Sequence, residues 1–218
     1  MLIGIPTKHA AGITIFGDYY DLKSIHESIH SLVQDGPFSP SLGDFVLGLA
    51  YEIRHSYQND RQNKVFGRDS LDQVSYRGFD SLWPVILVQI SLLRWAASFV
   101  PTSRAVQSDL YRLESCIEIA LSEISPQLSH DCLNWMRTLN GLPENYLVEF
   151  VTHQSRIYVT KYNTKSKRLQ MILRLLEDIN PISNEYRAFE ATMVNLAKEQ
   201  NCSPSDFEDN AEWPAFRW

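Results

Sequence analysis

The segment His26-Glu27-Ser28-Ile29-His30 has residue types and spacing that could do chemistry. Two histidines at i and i+4 on a helix project side by side and can hold one zinc ion. A glutamate between them can act as general base on zinc-bound water, the arrangement used by zinc hydrolases. In that reading His26 and His30 are ligands, Glu27 is the base, and Glu52 on the following helix is a third ligand. Other features of the sequence argue against it. So short a motif arises by chance, and this chain has six histidines to draw on. His30 is followed by Ser31-Leu32-Val33-Gln34-Asp35, without the GxxH continuation, and no NExxSD-like segment supplies a recognised ligand. No cofactor is therefore expected, with zinc as the alternative.

Asp18, Asp21, Arg54, His55 and Arg61 form a second candidate set. Asp18 and Asp21 follow a strand, whereas Arg54 and Arg61 would share one helical stripe if their helix ran that far. The simpler expectation is a buried Arg–Asp network tying the sheet to a central helix, with Arg54 partly buried and paired. The sharper one is a phosphate- or nucleotide-handling pocket built on Arg54, His55 and Arg61. His55 with Arg61 resembles the His/Arg pairs of metal-independent ribonucleases, but the helical R-x4–6-H order is absent. Lys161, Lys165, Lys167 and Arg168 make a local basic cluster, read as a solvated face. No GxGxxG, Walker loop, GxSxG or kinase signature occurs.

A third set closes the chain. Trp213, Phe216 and Trp218 follow an acidic stretch containing Asp206, Glu208, Asp209 and Glu212. Aromatic rings left in water forgo a large burial energy. They are expected to dock on the helical body, or else on a partner.

The elements that must position these residues fall into two textures. Leu2–Ile5, Gly12–Phe16, Lys64–Phe66 and Val74–Phe79 read as short strands, with Ile13 and Ile15 on one face and Thr14 and Phe16 on the other. Helices fill the rest. One is capped by Asp21 and stops near Gly36-Pro37; one runs from Asp44 to about Asn59; one, apolar nearly all round, spans about 81–99. The second carries two apolar stripes, Phe45/Val46/Leu49/Ile53/Tyr57 and Leu47/Tyr51, which predicts a central helix. Further helices are expected over Ser103–Ile124, from Pro126 to Asn140-Gly141, and over 144–162, 164–178 and 183–200. Ser203 could cap one more turn. The predicted fold is α+β and mostly helical, a small N-terminal antiparallel sheet packed on a helical bundle. The whole chain, 1–218, reads as one domain, with strands in 1–80, helices in 81–200 and a tail in 201–218.

Composition narrows the function classes. At 218 residues and 44% hydrophobic, the chain can build a core without metal or disulfides. A net charge of −6 speaks against a general nucleic-acid binder. Three cysteines, Cys116, Cys132 and Cys202, form neither a disulfide framework nor a zinc knuckle. The start MLIGIPTKHAAG lacks the basic and apolar regions of a signal peptide. The most apolar stretch is broken by Pro84, Gln89, Ser91 and Arg94, so no membrane role is expected and the expected address is the cytoplasm.

Taken together, GITIFGDYYDLKSIHESIH, VLGLAYEIRHSY, SLWP and the closing NCSPSDFEDNAEWP resemble an uncharacterised bacterial family, a domain of unknown function. Its members share a strand followed by GD-[YF]-YDL, a Y-x-IRH-x-Y helix, an LWP segment and an acidic, Trp-containing end. The matching positions here are Gly17, Asp18, Tyr20, Asp21, Tyr51, Arg54, His55, Tyr57, Trp83, Pro84 and Trp213. The resemblance implies a bacterial, cytosolic, single-domain protein and supplies no activity. Its pattern includes His30 but not His26, which weakens the zinc reading further. With no complete catalytic set and an aromatic tail suited to docking, the leading expectation is a non-enzymatic interaction protein, an accessory subunit or adaptor. A stress or phage-defence operon is its expected setting, with a protein partner or self-association.

Overall fold

Alternation of β-branched and aromatic residues with glycine punctuation produces a four-stranded sheet at the start of the chain. The computed structural model describes residues 1–67, 73–138, 146–202 and 213–218. Strands β1 (Ile3–Pro6), β2 (Gly12–Gly17), β3 (Gln62–Phe66) and β4 (Val74–Leu82) lie in the order β1-β2-β4-β3, every pair antiparallel. In register, Ile3 faces Phe16, Gly12 faces Leu82 and Gln62 faces Gly78. Central β2 is buried on both faces: Ile13 and Ile15 on one, Thr14 and Phe16 on the other. The Thr14 hydroxyl meets this burial by donating to Asp80 at 2.5 Å.

Two glycines permit this close pairing. A Cβ on Gly12 would fall 1.8 Å from the Ser81 carbonyl oxygen, and one on Gly78 would fall 2.4 Å from the Phe16 ring.

Helix α1 (Tyr19–Asp35) begins three residues before the expected position. Asp18 is its cap, the carboxylate accepting from the Asp21 N–H at 2.8 Å, so Asp21 sits in the first turn. Leu22, Ile25, Ile29 and Leu32 form its buried stripe. Helix α2 (Pro40–Tyr57) also starts earlier than Asp44. Ser39 caps it and Pro40 occupies the first turn, where a missing N–H costs little. Leu42, Val46, Leu49, Ala50 and Ile53 face inward; Tyr51, from the expected second stripe, stays exposed. The helix ends at Tyr57, so Arg61 lies beyond it, at the entry to β3, and shares no stripe with Arg54.

Helix α3 (Trp83–Ala96) follows β4 directly, because Ser81 and Leu82 are still paired in the sheet. It is the most buried helix, as its apolar composition predicts, with Trp83, Ile86, Leu87, Val88 and Ile90 fully enclosed. Around it pack α4 (Arg104–Ile124), α5 (Pro126–Thr138), α6 (Leu147–Thr160) and α7 (Lys165–Ile179), while α8 (Asn184–Gln200) packs on α7. The expected stop at Asn140-Gly141 and the Ser203-capped turn lie outside the described residues. The architecture is α+β and mostly helical, with the antiparallel sheet against the helices. Among the described residues no helix is long and apolar enough to cross a membrane.

Candidate functional site

Packing of α1 against α2 leaves an exposed face on which several motif residues meet. At its sheet end the Tyr19 ring stands edge-on to Tyr20 at 5.3 Å and to Tyr57 at 5.6 Å. Arg77 on β4 donates to the Tyr57 carbonyl at 2.9 Å and lies 5.9 Å over the Tyr19 ring. Tyr57 then meets His26 edge-on at 5.7 Å, and His26 lies 4.5 Å from His30, one turn along α1. On α2 the Arg54 guanidinium covers Tyr51 at 5.3 Å, and Tyr51 packs on His55 at 4.3 Å. Tyr20 is 80% exposed and Tyr51 49%, high for rings of that size. Tyr19 and Tyr57 were not expected to act together. The signal for them was present, since Tyr19 lies within the GD-[YF]-YDL segment at the start of α1 and Tyr57 closes the Y-x-IRH-x-Y segment at the end of α2.

The charges on this face are unevenly satisfied. Arg61 forms a two-point pair with Glu52, Nε to Oε2 at 2.7 Å and Nη2 to Oε1 at 3.1 Å. His55 Nδ1 pairs with Asp60 at 3.0 Å, and its Nε2 is buried with no hydrogen-bond partner among the described residues. Glu27 lies 3.8 Å from Lys23. Arg54, by contrast, is exposed and meets no carboxylate among the described residues. The expectation of a buried, paired Arg54 is thus overturned. The reason is its position: the buried side of α2 is taken by Ala50 and Ile53, which turns Arg54 outward. Desolvation lowers the His26 pKa, and the charges of His30 and Arg54 lower it further against the opposing effect of Glu27.

Asp18 and Asp21 belong elsewhere. Asp18 is spent on the helix cap. Asp21 meets the Met1 amino group and Arg112 on α4, and Arg112 also reaches Asp109 at 3.1 Å. Asp109, almost fully buried, accepts from the hydroxyls of Ser24 and Ser28 at 2.7 Å each. An Arg–Asp network does tie α1 down, but its arginine is Arg112 and its anchor is α4. The five residues proposed as one set are therefore not one cluster.

His26 and His30 do stand side by side as the metal motif requires. Glu52 is turned to Arg61, and no group of three or more His, Cys, Asp or Glu among the described residues could hold a metal ion.

The tail reaches the C-terminal end of α2. Trp218 lines an open cleft of about 450 Å³ together with Glu52, Asp60, Arg61, Gln62, Phe79 and Asp80. Its carbonyl accepts from the His9 N–H at 2.9 Å. Phe216 packs on the core and on Trp218 at 4.9 Å, and Arg156 lies 5.4 Å over the Trp213 ring. Docking on the body is what the described tail residues do. Arg168 fixes them: far from a solvated face, its side chain is 1% exposed, while Lys161, Lys165 and Lys167 are exposed as expected.

An α+β chain with this sheet-and-helix arrangement could belong to many protein classes, and comparison narrows the choice. The chain belongs to a family described as a domain of unknown function, DUF6904, whose model matches residues 2–218. No curated protein and no solved structure matches the chain. The family carries no assigned activity, so function rests on the geometry of the site.

Proposed function

We propose that the chain is a non-enzymatic interaction protein of the bacterial cytosol, an accessory subunit or adaptor. It docks a protein partner on the face formed by α1 and the C-terminal half of α2. The observation that carries this is Arg54: an exposed guanidinium held over Tyr51, with no carboxylate partner among the described residues, on the same face as the exposed rings of Tyr19 and Tyr20. Tyrosine and arginine are the side chains enriched where interfaces concentrate their energy. The unspent cationic group at Arg54 favours a partner segment that presents carboxylates.

The zinc hydrolase reading has its two histidines and Glu27 but lacks a third ligand among the described residues. The phosphate reading finds Arg61 and His55 already paired with Glu52 and Asp60. Docking needs none of those groups free.

Site-specific cross-linking in the native cell tests the reading. A photo-reactive residue at Tyr51 should capture one discrete protein, and Arg54→Glu should abolish that capture. The same probe at Ile182, 75% exposed and in the turn between α7 and α8, should not capture it. Capture of a second copy of this chain would make the role self-association. Capture no greater than at Ile182 would remove the α1–α2 face from consideration.

A further inference from the structure

Between α3, α4 and α5 lies a cavity of about 620 Å³ whose lining takes no residue from α1 or α2. Arg94 lines it on a fixed footing. Its Nε and Nη2 donate to the two Glu114 carboxylate oxygens, each at 2.7 Å, and Nη1 donates to Gln107 at 2.8 Å. The Tyr111 ring lies 4.6 Å from the guanidinium carbon. A guanidinium has five N–H donors, and these bonds use three. Among the described residues one N–H on each Nη therefore remains unused. A guanidinium fixed by these contacts can donate to a further acceptor without reorganisation.

Glu118 supplies the complementary group. It lies one turn along α4 from Glu114, which puts the two Cβ atoms about 5–6 Å apart. Its carboxylate is exposed and has no partner among the described residues. Leu133, Met136 and Trp95 give the cavity an apolar surface between these polar groups. Among the described residues of the lining, Arg94 and Arg137 are balanced by Glu114 and Glu118, so their charges sum to zero. A cavity of this size and mixed lining is of the kind that takes small molecules.

We propose that it binds a neutral planar heterocycle with a lactam edge. The ring carbonyl accepts from the Nη donors of Arg94, and the adjacent ring N–H donates to Glu118. Balanced charge gives an ion no net attraction, and the flat ring stacks among Trp95, Tyr111 and the apolar floor. Guanosine carries this edge. Adenosine presents an amino group where guanosine has the carbonyl and lacks the neighbouring ring N–H. It would set donor against donor at Arg94 and leave Glu118 unpaired.

Titration calorimetry on the full chain, with guanosine and adenosine as probes, tests the assignment. Guanosine should bind saturably at one site, and adenosine at least about ten-fold more weakly, the cost of one unmade hydrogen bond to a charged group. Glu118→Gln should weaken guanosine by a similar factor at an unchanged melting temperature, since the Glu118 carboxylate is exposed and supports no other side chain among the described residues. Arg94→Lys should weaken it too, and because that change also touches packing, the Glu118 variant decides. Equal binding of adenosine, no saturable binding of either nucleoside, or guanosine binding indifferent to Glu118→Gln would each overturn the proposal.

Discussion

Arg168 Nη1 donates to the Arg217 carbonyl at 2.6 Å, joining α7 to the end of the tail across 49 residues of chain. The same guanidinium donates to the carbonyls of His9, Val159 and Tyr162 at 3.1, 3.2 and 2.7 Å. Among the described residues it is a buried cation held by backbone oxygens alone, with the Tyr158 hydroxyl donating to the Ala10 carbonyl nearby at 2.7 Å. Arg168→Met would leave these carbonyls in the interior without their donor. We expect a loss of more than about 3 kcal/mol, since hydrogen bonds to a charged group contribute about 1.5–3 kcal/mol each and are not additive. Arg168→Lys should recover little, because one ammonium cannot span the directions of a planar fork. Urea unfolding of both variants checks this; wild-type midpoints would show that the tail is held by Phe216 packing instead.

Gly12 carries a different kind of constraint. A methyl group there would overlap the Ser81 carbonyl, which is backbone in a paired strand and cannot rotate away. Gly12→Ala should therefore force β2 and β4 apart and destabilise the fold by about 1–3 kcal/mol or more, the cost of overpacking. Gly48→Ala is the control, because a Cβ there meets nothing closer than 3.7 Å. Thermal melts of the pair should differ by many degrees. Equal melts would show that the two strands can give way at this point.

Elements were largely legible in the sequence because periodicity and caps are local. Ser103, Pro126 and Ser183 marked helix starts, and Gly36 marked a stop. Asp21 failed as a cap because Asp18, three residues earlier, could accept the same kind of bond at the true first turn. Pairings were not legible. Nothing in the chain from 18 to 61 shows that Asp21 will meet Arg112 from α4, or that Arg61 will choose Glu52. Arg168 looked like one member of a basic run, yet on α7 it falls on the line of Ile172, Leu175 and Leu176, which faces inward. Its partners are carbonyls, which every residue possesses and no sequence pattern marks.

Cysteine reactivity should follow burial. Cys116 and Cys132 are enclosed, and burial pushes both thiols up to about 12. At pH 8 essentially no thiolate forms at either, and the thiolate is the reactive species. Cys202, at the end of α8, is partly exposed. A disulfide exchange reagent should titrate one thiol per native chain and three after denaturation. A native count of two or more would mean that α4 or α5 opens readily.

Arg54 is the point at which stability and function should separate. Exposed and without an ion pair among the described residues, it should be replaceable by alanine within about 0.5 kcal/mol, as for ordinary surface positions. The same change removes a positive charge felt at His26, so the His26 pKa should rise toward its ordinary value. The sign for the native protein follows. A histidine whose folded pKa is lowered binds fewer protons than in the unfolded chain, so its contribution to stability is present above about pH 6.5 and is lost as pH falls through the lower folded value. Arg54→Ala should therefore flatten that acid-side loss while leaving stability at pH 8 unchanged. Histidine NMR titrations of the two proteins, with urea melts at pH 5 and pH 8, measure both effects. A variant that is much less stable at pH 8 would place Arg54 among the structural residues. One whose His26 titrates unchanged would show that Arg54 and His26 do not share a field.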